Sequence, residues 1–318
     1  KSAIPKFPLN FVRNNFRVVP SFVMTDLERI PLGIYEKGIP LALSWRDKFV
    51  IAKKAGFDYI ELSIDGKDPR IKRLDWTDEM IAELRKLADH FEMPFQTMAL
   101  SANRFYPLGD PKRFDAGIEI VKKAIILAAK LKIPIIQLAP YDVYQKESTA
   151  DTRIRFASSL FEILELIQAY PVTLAMEVLE DVPHFSTITQ CAAFVRKVNH
   201  PQFKLYADTG NVAYNGFDVV SDLAGGQGEI VACHLKDAIS KDEHNIPYGT
   251  GLVDFNSVSG NLRLTLPKGS CRYTLDFSTV SGDRDTDRFI SGGDETCDIT
   301  AETVSAICPS LIPWITRF

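Results

Sequence analysis

Three residues that could bind a metal ion occur near the ends of three successive apolar segments. They are Glu177 in segment 172–179, Asp208 at the end of 203–208 and His234 at the end of 230–234. The length of these segments is typical of buried β-strands, in which an unpaired charge is strongly unfavourable. A metal ion or a substrate would supply the missing partner, and mixed carboxylate and imidazole ligation suits Mn²⁺, Zn²⁺ or Mg²⁺. The sequence therefore predicts a divalent metal site formed by these three side chains.

Each of the three residues also has an ordinary structural explanation. A single acidic residue at a strand end is more often a helix cap or an ion-pair partner. A single histidine is more often a hydrogen-bonded core residue. The recurrence of such residues at three consecutive strand ends favours the metal site over these explanations.

Three further polar residues are candidates for substrate binding. Glu61 shares one face of its strand with Ser63 and Asp65, because side chains alternate along a strand. It is predicted to reach the site, and an ion pair inside a barrel is the alternative. Arg104 and Lys236 are predicted to bind a phosphate group, with solvated surface charge as their alternative.

Strand and helix patterns alternate along most of the chain. The predicted strands are Ile30–Glu36, Phe57–Asp65, Pro94–Ser101, Ile133–Tyr141, Val172–Leu179, Phe203–Asn211 and Ile230–Asp237. The predicted helices are Ser44–Gly56, Thr77–Phe91, Pro111–Leu131, Ala150–Tyr170 and Ser186–Asn199, with a short helix after Asp218. Capping residues are expected at the helix starts, at Ser44, Thr77, Asp110 and Ser186.

This alternation predicts either a (β/α)8 TIM barrel or a doubly wound sheet, both of the α/β class. The strands are mostly continuous apolar runs, as in parallel sheets that are covered on both faces. No G-x-G-x-x-G motif follows the first strand. The glycines of 225–228 come after a helix, so we interpret them as a loop and not as a phosphate-binding turn. Polar residues at the C-terminal ends of many strands favour the barrel, whose active sites lie at that end.

Composition limits the classes of function. The chain has 318 residues, 46% of them hydrophobic, and a formal net charge of −4 with a pI of about 5.8. This acidic balance argues against nucleic acid as the main partner. No apolar run reaches the ~18 residues of a membrane span, so no membrane partner is expected. The five cysteines are scattered without a C-x-x-C motif, which fits a reducing cytoplasm.

The two ends of the chain differ from its middle. Residues 1–23 hold four basic and no acidic residues, and we interpret them as a leader without function, with a mitochondrial-type targeting arm as the alternative. Residues 24–258 are predicted to form the barrel, and 259–318 to be a divergent, irregular C-terminal part of the same barrel. Within that part, Arg272–Phe277 is predicted to be the eighth strand and Ala301–Ile307 a helix.

Short motifs are spread densely from Ile30 to Val258. They are Pro31–Lys37 (PLGIYEK), Arg73–Trp76 (RLDW), Pro107–Gly109 (PLG), Gln137–Ala139 (QLA), Tyr141–Tyr144 (YDVY), Ala175–Glu177 (AME), Asp208–Asn211 (DTGN), His234–Asp237 (HLKD) and Gly249–Phe255 (GTGLVDF). Together they resemble the L-ribulose-5-phosphate 3-epimerases, also called L-xylulose-5-phosphate 3-epimerases, of the xylose-isomerase-like TIM barrel superfamily. Asp208–Asn211 and Gly249–Phe255 are shared across that superfamily. Pro31–Lys37 and Tyr141–Tyr144 are more particular to these epimerases.

The resemblance implies a metal site made of a Glu, an Asp, a His and a last Glu. The first three match Glu177, Asp208 and His234. The last Glu normally lies on the eighth strand in the context Leu-Ile-Glu-Met-Trp. The nearest residue here is Asp276 in Tyr-Thr-Leu-Asp-Phe, which is one methylene shorter. A smaller departure is Asn103, which stands where the family has a His in Ser-Ala-His-Arg.

The resemblance also implies the reaction. Epimerisation at C3 of a 2-ketose removes a proton next to the carbonyl group and returns one from the other face, as in the conversion of L-ribulose 5-phosphate to L-xylulose 5-phosphate. The enediolate between these steps would be stabilised by a divalent metal ion. Glu177 and Asp276 would be the acid and base on the two faces. A small sugar phosphate is thus the expected partner, and a homodimer is compatible with the resemblance.

Three other functions stay open. If Asp276 does not replace the missing Glu, the chain would bind metal or sugar phosphate with impaired or no turnover. An aldose–ketose isomerase on the same barrel would move hydrogen between C1 and C2. A metal-dependent abasic-site endonuclease shares the architecture, but it would need more His than the five present and a basic face.

Overall fold

A closed barrel of eight strands is the centre of the computed structural model, which describes residues 31–67, 69–180, 182–241, 246, 251–253 and the backbone of 304–306. The strands are β1 Leu32–Tyr35, β2 Tyr59–Ser63, β3 Phe95–Leu100, β4 Ile135–Leu138, β5 Thr173–Glu177, β6 Phe203–Asp208, β7 Ile230–Leu235 and β8 Val304–Ala306. The α-helices are α1 Trp45–Lys54, α2 Asp78–Phe91, α3 Phe114–Leu131, α4 Ala150–Ile167, α5 Ile188–Val198, α6 Thr209–Tyr214 and α7 Val219–Gly225. Within the described residues, 3-10 segments span Glu36–Gly38, Pro69–Asp75 and Ser101–Arg104. The predicted TIM barrel is confirmed, and the doubly wound sheet is excluded.

The strands β1 to β7 are parallel and pair in chain order. The eighth strand differs, because β8 is antiparallel to both β1 and β7, with Ala306 opposite Leu32 and Ser305 opposite His234. The predicted helix Ala301–Ile307 is therefore wrong for Val304–Ala306. Unpaired edges on β1 and β7 would expose backbone N–H and C=O groups, and this short segment pairs with both. The predicted strand Arg272–Phe277, which contains Asp276, lies outside the described residues, as does the predicted leader.

Helix starts follow the capping residues closely. The side chains of Ser44 and Thr77 accept hydrogen bonds from the third residue of α1 and α2, as predicted. Thr187 caps α5 in place of its neighbour Ser186, with a bond of 3.0 Å from the Gln190 amide. Asp110 accepts from the Lys112 amide at 2.9 Å, so it caps a turn, and α3 begins only at Phe114. The predicted short helix after Asp218 is present as α7, and the glycines of 225–228 end that helix and form the turn after it.

Two apolar layers hold the barrel together. Between the strands and the helices lies the main core, which includes Phe49, Leu62 and Phe203, all fully buried. The inside of the barrel has its own small cluster, formed by Ile135, Ala175, Tyr206 and Ala232. Polar side chains occupy the rest of the interior, and they are the candidates for chemistry.

Across the described residues, no helix combines the length and apolar character required to cross a bilayer.

A buried ion network lies where β1 ends. The fully buried carboxylate of Glu36 receives the Lys48 ammonium at 2.6 Å and both terminal nitrogens of the Arg73 guanidinium, with Arg73 Nη2 at 2.7 Å. It also accepts from the Ser63 amide at 3.1 Å. Burial acts to raise the pKa of Glu36, but the Arg73 and Lys48 charges outweigh it and lower the pKa. One carboxylate thus fixes the ends of β1 and β2 to α1 and to the 3-10 segment Pro69–Asp75.

We expect Glu36→Gln to destabilise the fold by about 3–5 kcal/mol, because removal of one partner leaves buried cations without their counter-charge. Urea unfolding followed by circular dichroism would measure the loss. Glu92→Gln is the control, because the Glu92 side chain is 84% exposed in its pair with Lys53. A loss no larger than that of the control would contradict this account of the network.

Candidate active site

The three predicted metal ligands converge at the C-terminal ends of neighbouring strands. Glu177 is the last residue of β5, Asp208 the last of β6, and His234 lies next to the end of β7. Asp208 and His234 are opposite each other in the β6–β7 register. All three are buried, and one potential ligand atom of each lies within 4.8 Å of the others.

One nitrogen of His234 faces both carboxylates. Its Nδ1 lies 2.5 Å from Glu177 Oε1 and 3.7 Å from Asp208 Oδ2. The other oxygen of Glu177 accepts a hydrogen bond of 2.7 Å from Gln137 Nε2 on β4. Sequence reasoning did not assign a role to Gln137, although an amide within an otherwise apolar strand was an available signal. Its contact fixes the rotation of the Glu177 carboxylate.

The other nitrogen of His234 faces Glu61 on the far side of the ring. Nε2 lies 2.8 Å from Glu61 Oε2, and the Tyr206 hydroxyl donates to Glu61 Oε1 at 2.9 Å. Glu61 and Tyr206 are fully buried, and the Tyr206 ring centroid is 4.4 Å from that of His234. Glu61 thus forms the ion pair inside the barrel that was the alternative to substrate binding. The substrate-binding role of Glu61 stays a prediction.

Electrostatics in the cluster separate the two carboxylates. Burial raises the pKa of Glu177, and the attraction of His234 only partly offsets it. Burial also acts on Asp208, but Lys236, His234 and the Asn211 amide outweigh it and lower the pKa of Asp208. For His234, burial opposes the charged ring, yet the Glu61 and Glu177 carboxylates raise the pKa of His234 well above its usual range. Glu177 is therefore the more basic of the two acids and the better suited to accept a proton.

Asp208 is oriented by the start of a helix that the sequence pattern did not predict. The strand ends at Asp208 and not at Asn211, because α6 begins at Thr209. Asp208 Oδ1 caps that helix by accepting from the Asn211 amide at 2.7 Å. The other oxygen is the one that lies toward His234. An Asp as N-cap was an available signal for the helix.

The residues after Asp208 form hydrogen bonds to the residues that follow β5 and β7, the two neighbours of β6. The Thr209 hydroxyl donates to the Lys236 carbonyl at 2.7 Å, and a Cβ on Gly210 would lie 2.8 Å from Lys236 Cβ. Asn211 Nδ2 donates to the Val178 carbonyl at 2.8 Å, and Asn211 Oδ1 accepts from Lys236 Nζ at 2.6 Å. Only glycine fits at position 210 without displacing Lys236, the residue after β7, which explains this part of the Asp-Thr-Gly-Asn motif.

Asp237, which follows β7, holds the described residues Gly251 and Val253. Its carboxylate accepts from the amides of Gly251 at 2.9 Å and Val253 at 3.2 Å. A Cβ on Gly251 would collide with that carboxylate. Two of the short motifs, His234–Asp237 and Gly249–Phe255, meet here, and their contact was not predictable from either motif alone. The contact therefore holds Gly251 and Val253 against the residue that follows Lys236.

The two other predicted substrate-binding residues lie in different surroundings. Lys236 Nζ donates to Glu180 Oε1 at 2.8 Å as well as to Asn211. Arg104 follows β3, and its guanidinium carbon lies 5.6 Å from the Tyr141 ring centroid and 5.7 Å from that of Tyr144. Neither residue is fully solvated surface charge, because Lys236 is buried and Arg104 partly buried. Asp276 lies outside the described residues.

Comparisons with known proteins agree on one family. The family model of xylose isomerase-like TIM barrels matches residues 49–265. An L-ribulose-5-phosphate 3-epimerase UlaE of Escherichia coli (strain SMS-3-5 / SECEC) is 41% identical over 230 residues, which cover 72% of this chain and 81% of that protein. The UlaE of Salmonella paratyphi C (strain RKS4594), with the same enzyme name, is 40% identical over 238 residues, or 74% of this chain and 84% of that protein.

A solved structure of an L-ribulose 3-epimerase superposes with a TM-score of 0.58 at 21% identity, covering 72% of this chain and 75% of that one. At this identity the likeness supports the fold alone. The family match and the two relatives carry the closer assignment, because each extends over most of the chain, and the family match includes the strands that bear the site. The chain belongs to the xylose isomerase-like TIM barrels and, within them, to the L-ribulose-5-phosphate 3-epimerase family, which consists of carbohydrate epimerases of the isomerase class.

Proposed function

We propose that this chain epimerises C3 of a ketopentose phosphate and interconverts L-ribulose 5-phosphate and L-xylulose 5-phosphate with a divalent metal ion. The observation that carries the proposal is the convergence of Glu177, Asp208 and His234 within 4.8 Å at the active end of the barrel, in a member of this epimerase family. The substrate is that of the named relatives.

The donor set fits a hard or borderline divalent ion. Two carboxylates and one imidazole suit Mn²⁺, Zn²⁺ or Mg²⁺ better than an ion that prefers thiolates. Each ligand also has a second partner that orients it, namely Gln137 for Glu177, the Asn211 amide for Asp208 and Glu61 for His234. Such outer contacts are typical of metal sites. When bound, the ion would supply positive charge that stabilises the negative charge on the ketose oxygens after proton loss.

Glu177 is the group that we assign to proton transfer at C3. Its raised pKa makes the carboxylate a stronger base, and Gln137 holds its Oε2. Removal of the C3 proton from one face must be followed by proton delivery on the other face, so a second acid is required. We propose Asp276 for that acid, as the nearest residue in this sequence to the last Glu of the family pattern.

Lys236 is proposed to contact a substrate oxygen. Its ammonium group has three N–H donors. Among the described residues, Glu180 and Asn211 accept from it at 2.8 and 2.6 Å. The remaining donor is available to a hydroxyl or carbonyl oxygen of the sugar. Because two of its donors are already used, Lys236 is better suited to position the sugar than to bind a phosphate group.

Glu61 is proposed to position His234 through Nε2. Glu61→Gln is expected to weaken metal binding by about 10- to 100-fold, the usual effect of losing an outer partner of a ligand. Calorimetric titration of the metal-free protein with Mn²⁺ would measure the affinity for the metal. Glu162→Gln on the exposed side of α4 is the control. Unchanged affinity in Glu61→Gln would contradict the positioning role.

Isotope exchange tests the proposed function. The purified chain would be incubated with Mn²⁺ and L-ribulose 5-phosphate in D₂O, and C3 followed by NMR. We expect deuterium at C3 together with L-xylulose 5-phosphate. Deuterium at C1 with an aldose product would instead identify an aldose–ketose isomerase, and no exchange in a folded, metal-loaded protein would contradict catalysis.

A second candidate function is a family member that binds its ligands with impaired or no catalysis. The eighth strand favours this candidate, because Val304–Ala306 closes the barrel and its sequence, Val-Ser-Ala, has no carboxylate. Deuterium at C3 without inversion would identify this function, since the Glu177 side would then work and the opposite acid would be missing.

A further inference from the structure

Asn215 joins the end of α6 to the loop that follows β5. Its side-chain nitrogen Nδ2 donates to the Leu179 carbonyl at 3.1 Å and to the Ser186 carbonyl at 3.0 Å. Two carbonyl acceptors require a group with two N–H donors, and a carboxamide supplies both. The loop between these carbonyls includes Glu180, which accepts from Lys236 at 2.8 Å. The carboxamide of Asn215 therefore holds the loop that carries Glu180.

The next residue is a glycine for a separate reason. Gly216 has a φ of +83°, and a Cβ built on it would meet nothing within 4 Å, so the left-handed backbone and not the space selects glycine here. Its amide donates to the Ala213 carbonyl at 2.9 Å, and the Phe217 amide donates to the Val212 carbonyl at 3.1 Å. These two bonds form the Schellman ending of α6. The loop selects Asn215 and the helix ending selects Gly216, which together make the one Asn-Gly pair in the sequence.

An Asn-Gly pair is suited to intramolecular deamidation. The backbone nitrogen of Gly216 attacks Cγ of Asn215, a C–N bond forms, the Cγ–Nδ2 bond breaks, and ammonia leaves with the amide proton. Water then opens the resulting five-membered succinimide. Attack at Cγ gives aspartate, and attack at the backbone carbonyl carbon gives isoaspartate, in which the main chain runs through Cβ. Glycine favours the first step because no side chain shields the attacking nitrogen.

Three hydrogen bonds oppose this reaction in the folded chain. The Gly216 amide is held by the Ala213 carbonyl, and the Asn215 carboxamide is held by two carbonyls of the loop after β5. The nitrogen and Cγ react only after these bonds break, so the reaction passes through a locally opened state. Gly216 itself is exposed, so water has access to the succinimide.

We propose that Asn215 is a deamidation site that is controlled by local opening at the end of α6, and that its product releases the loop after β5. The carboxylate of the product accepts hydrogen bonds and donates none, so it repels the carbonyls of Leu179 and Ser186. Isoaspartate also lengthens the main chain by one carbon and disrupts the ending of α6. This inference does not depend on the proposed epimerase function.

Ageing of the purified chain in mildly alkaline buffer tests the site, with one sample folded and one unfolded in urea. Peptide mass spectrometry would follow the conversion of amide to carboxyl, and isoaspartate, at each asparagine. We expect conversion at Asn215 in both samples, at least about tenfold slower in the folded one, since each hydrogen bond that must break lowers the reactive population by roughly tenfold. Asn199 is the internal control, because it is exposed at the end of α5 but is followed by His200, and it should stay intact.

Three outcomes of the ageing experiment would overturn the proposal. They are no conversion at Asn215 in the folded chain, equal rates at Asn215 in the folded and unfolded samples, and conversion at Asn199 as fast as at Asn215. The first would remove the site, the second its control by local opening, and the third its dependence on Gly216.

Asn215→Asp reproduces one product and tests the release of the loop. Amide hydrogen exchange in 179–186 is expected to be at least about tenfold faster than in the wild type, because bonds to two carbonyls are lost. Asn199→Asp makes the same chemical change at the end of α5 and should leave this exchange unchanged. Unchanged exchange in Asn215→Asp would contradict the release. If Asn215→Asp does not fold, the aged wild type carries the same product and gives the same measurement.

Discussion

Glu177→Gln is expected to lower the rate of C3 proton exchange by about 10²- to 10⁴-fold, the range for loss of a general base. The substitution keeps the size of the side chain but removes the carboxylate that burial makes more basic. Deuterium incorporation at C3 of L-ribulose 5-phosphate, measured by NMR in the presence of Mn²⁺, would give the rate. A variant that keeps the wild-type rate would exclude Glu177 from proton transfer.

Two controls distinguish the loss of the general base from other effects of the Glu177→Gln substitution. Glu162→Gln makes the same chemical change on the exposed side of α4, where the side chain is 53% exposed, and it should leave exchange unchanged. Calorimetric titration with Mn²⁺ would give the metal affinity of Glu177→Gln. If saturating Mn²⁺ restored the rate, Glu177 would act as a ligand and not as the base.

Asp208→Asn is expected to weaken divalent-metal binding by more than about 100-fold, since loss of a ligand exceeds the effect of losing an outer partner. Asparagine is as good an N-cap as aspartate, so α6 should still form. The metal-dependent rise in melting temperature should therefore disappear, while the melting temperature of the metal-free protein changes little. Thermal unfolding with and without Mn²⁺ or a chelator would measure both quantities.

Asp218→Asn is the matched control for this substitution. Asp218 caps α7 by accepting from the Ser221 amide at 2.8 Å, just as Asp208 caps α6. It should leave the metal-dependent stabilisation intact. If both variants lost that stabilisation equally, or if Asp208→Asn kept it, the assignment of Asp208 as a ligand would be wrong.

The strands that carry the ligands were predictable because their chemistry is local. A charged residue at the end of an apolar run is unusual wherever it occurs, so Glu177, Asp208 and His234 were visible without knowledge of the fold. Their convergence follows from parallel pairing of β5, β6 and β7 in chain order. Helix starts at Ser44 and Thr77 were predictable for the same reason, since a cap bonds to an amide three residues away.

The contacts that cross the barrel were not predictable from local patterns. Glu61 and His234 are 173 residues apart in sequence, and only closure of the barrel brings Glu61 behind the imidazole ring. The predicted strand Phe203–Asn211 extends beyond the end of β6, because Asp208–Asn211 follows the apolar run without a break in the sequence pattern. Tertiary contacts of Thr209 and Asn211 favour a helix there instead. The segment Val304–Ala306 is too short for a periodicity to separate strand from helix, and its partners on β1 and β7 decide its conformation.

The side chain of Asn211 joins the ends of β5 and β7 across the end of β6. Local opening after β6 must break its bonds to Val178 and Lys236 together with the cap that Asp208 forms. Because these bonds belong to three strands, the three ligand-bearing strand ends are expected to open as one unit. Amide hydrogen exchange in 177–179, 208–211 and 234–236 would then share one opening free energy, and metal binding would slow exchange in all three segments together.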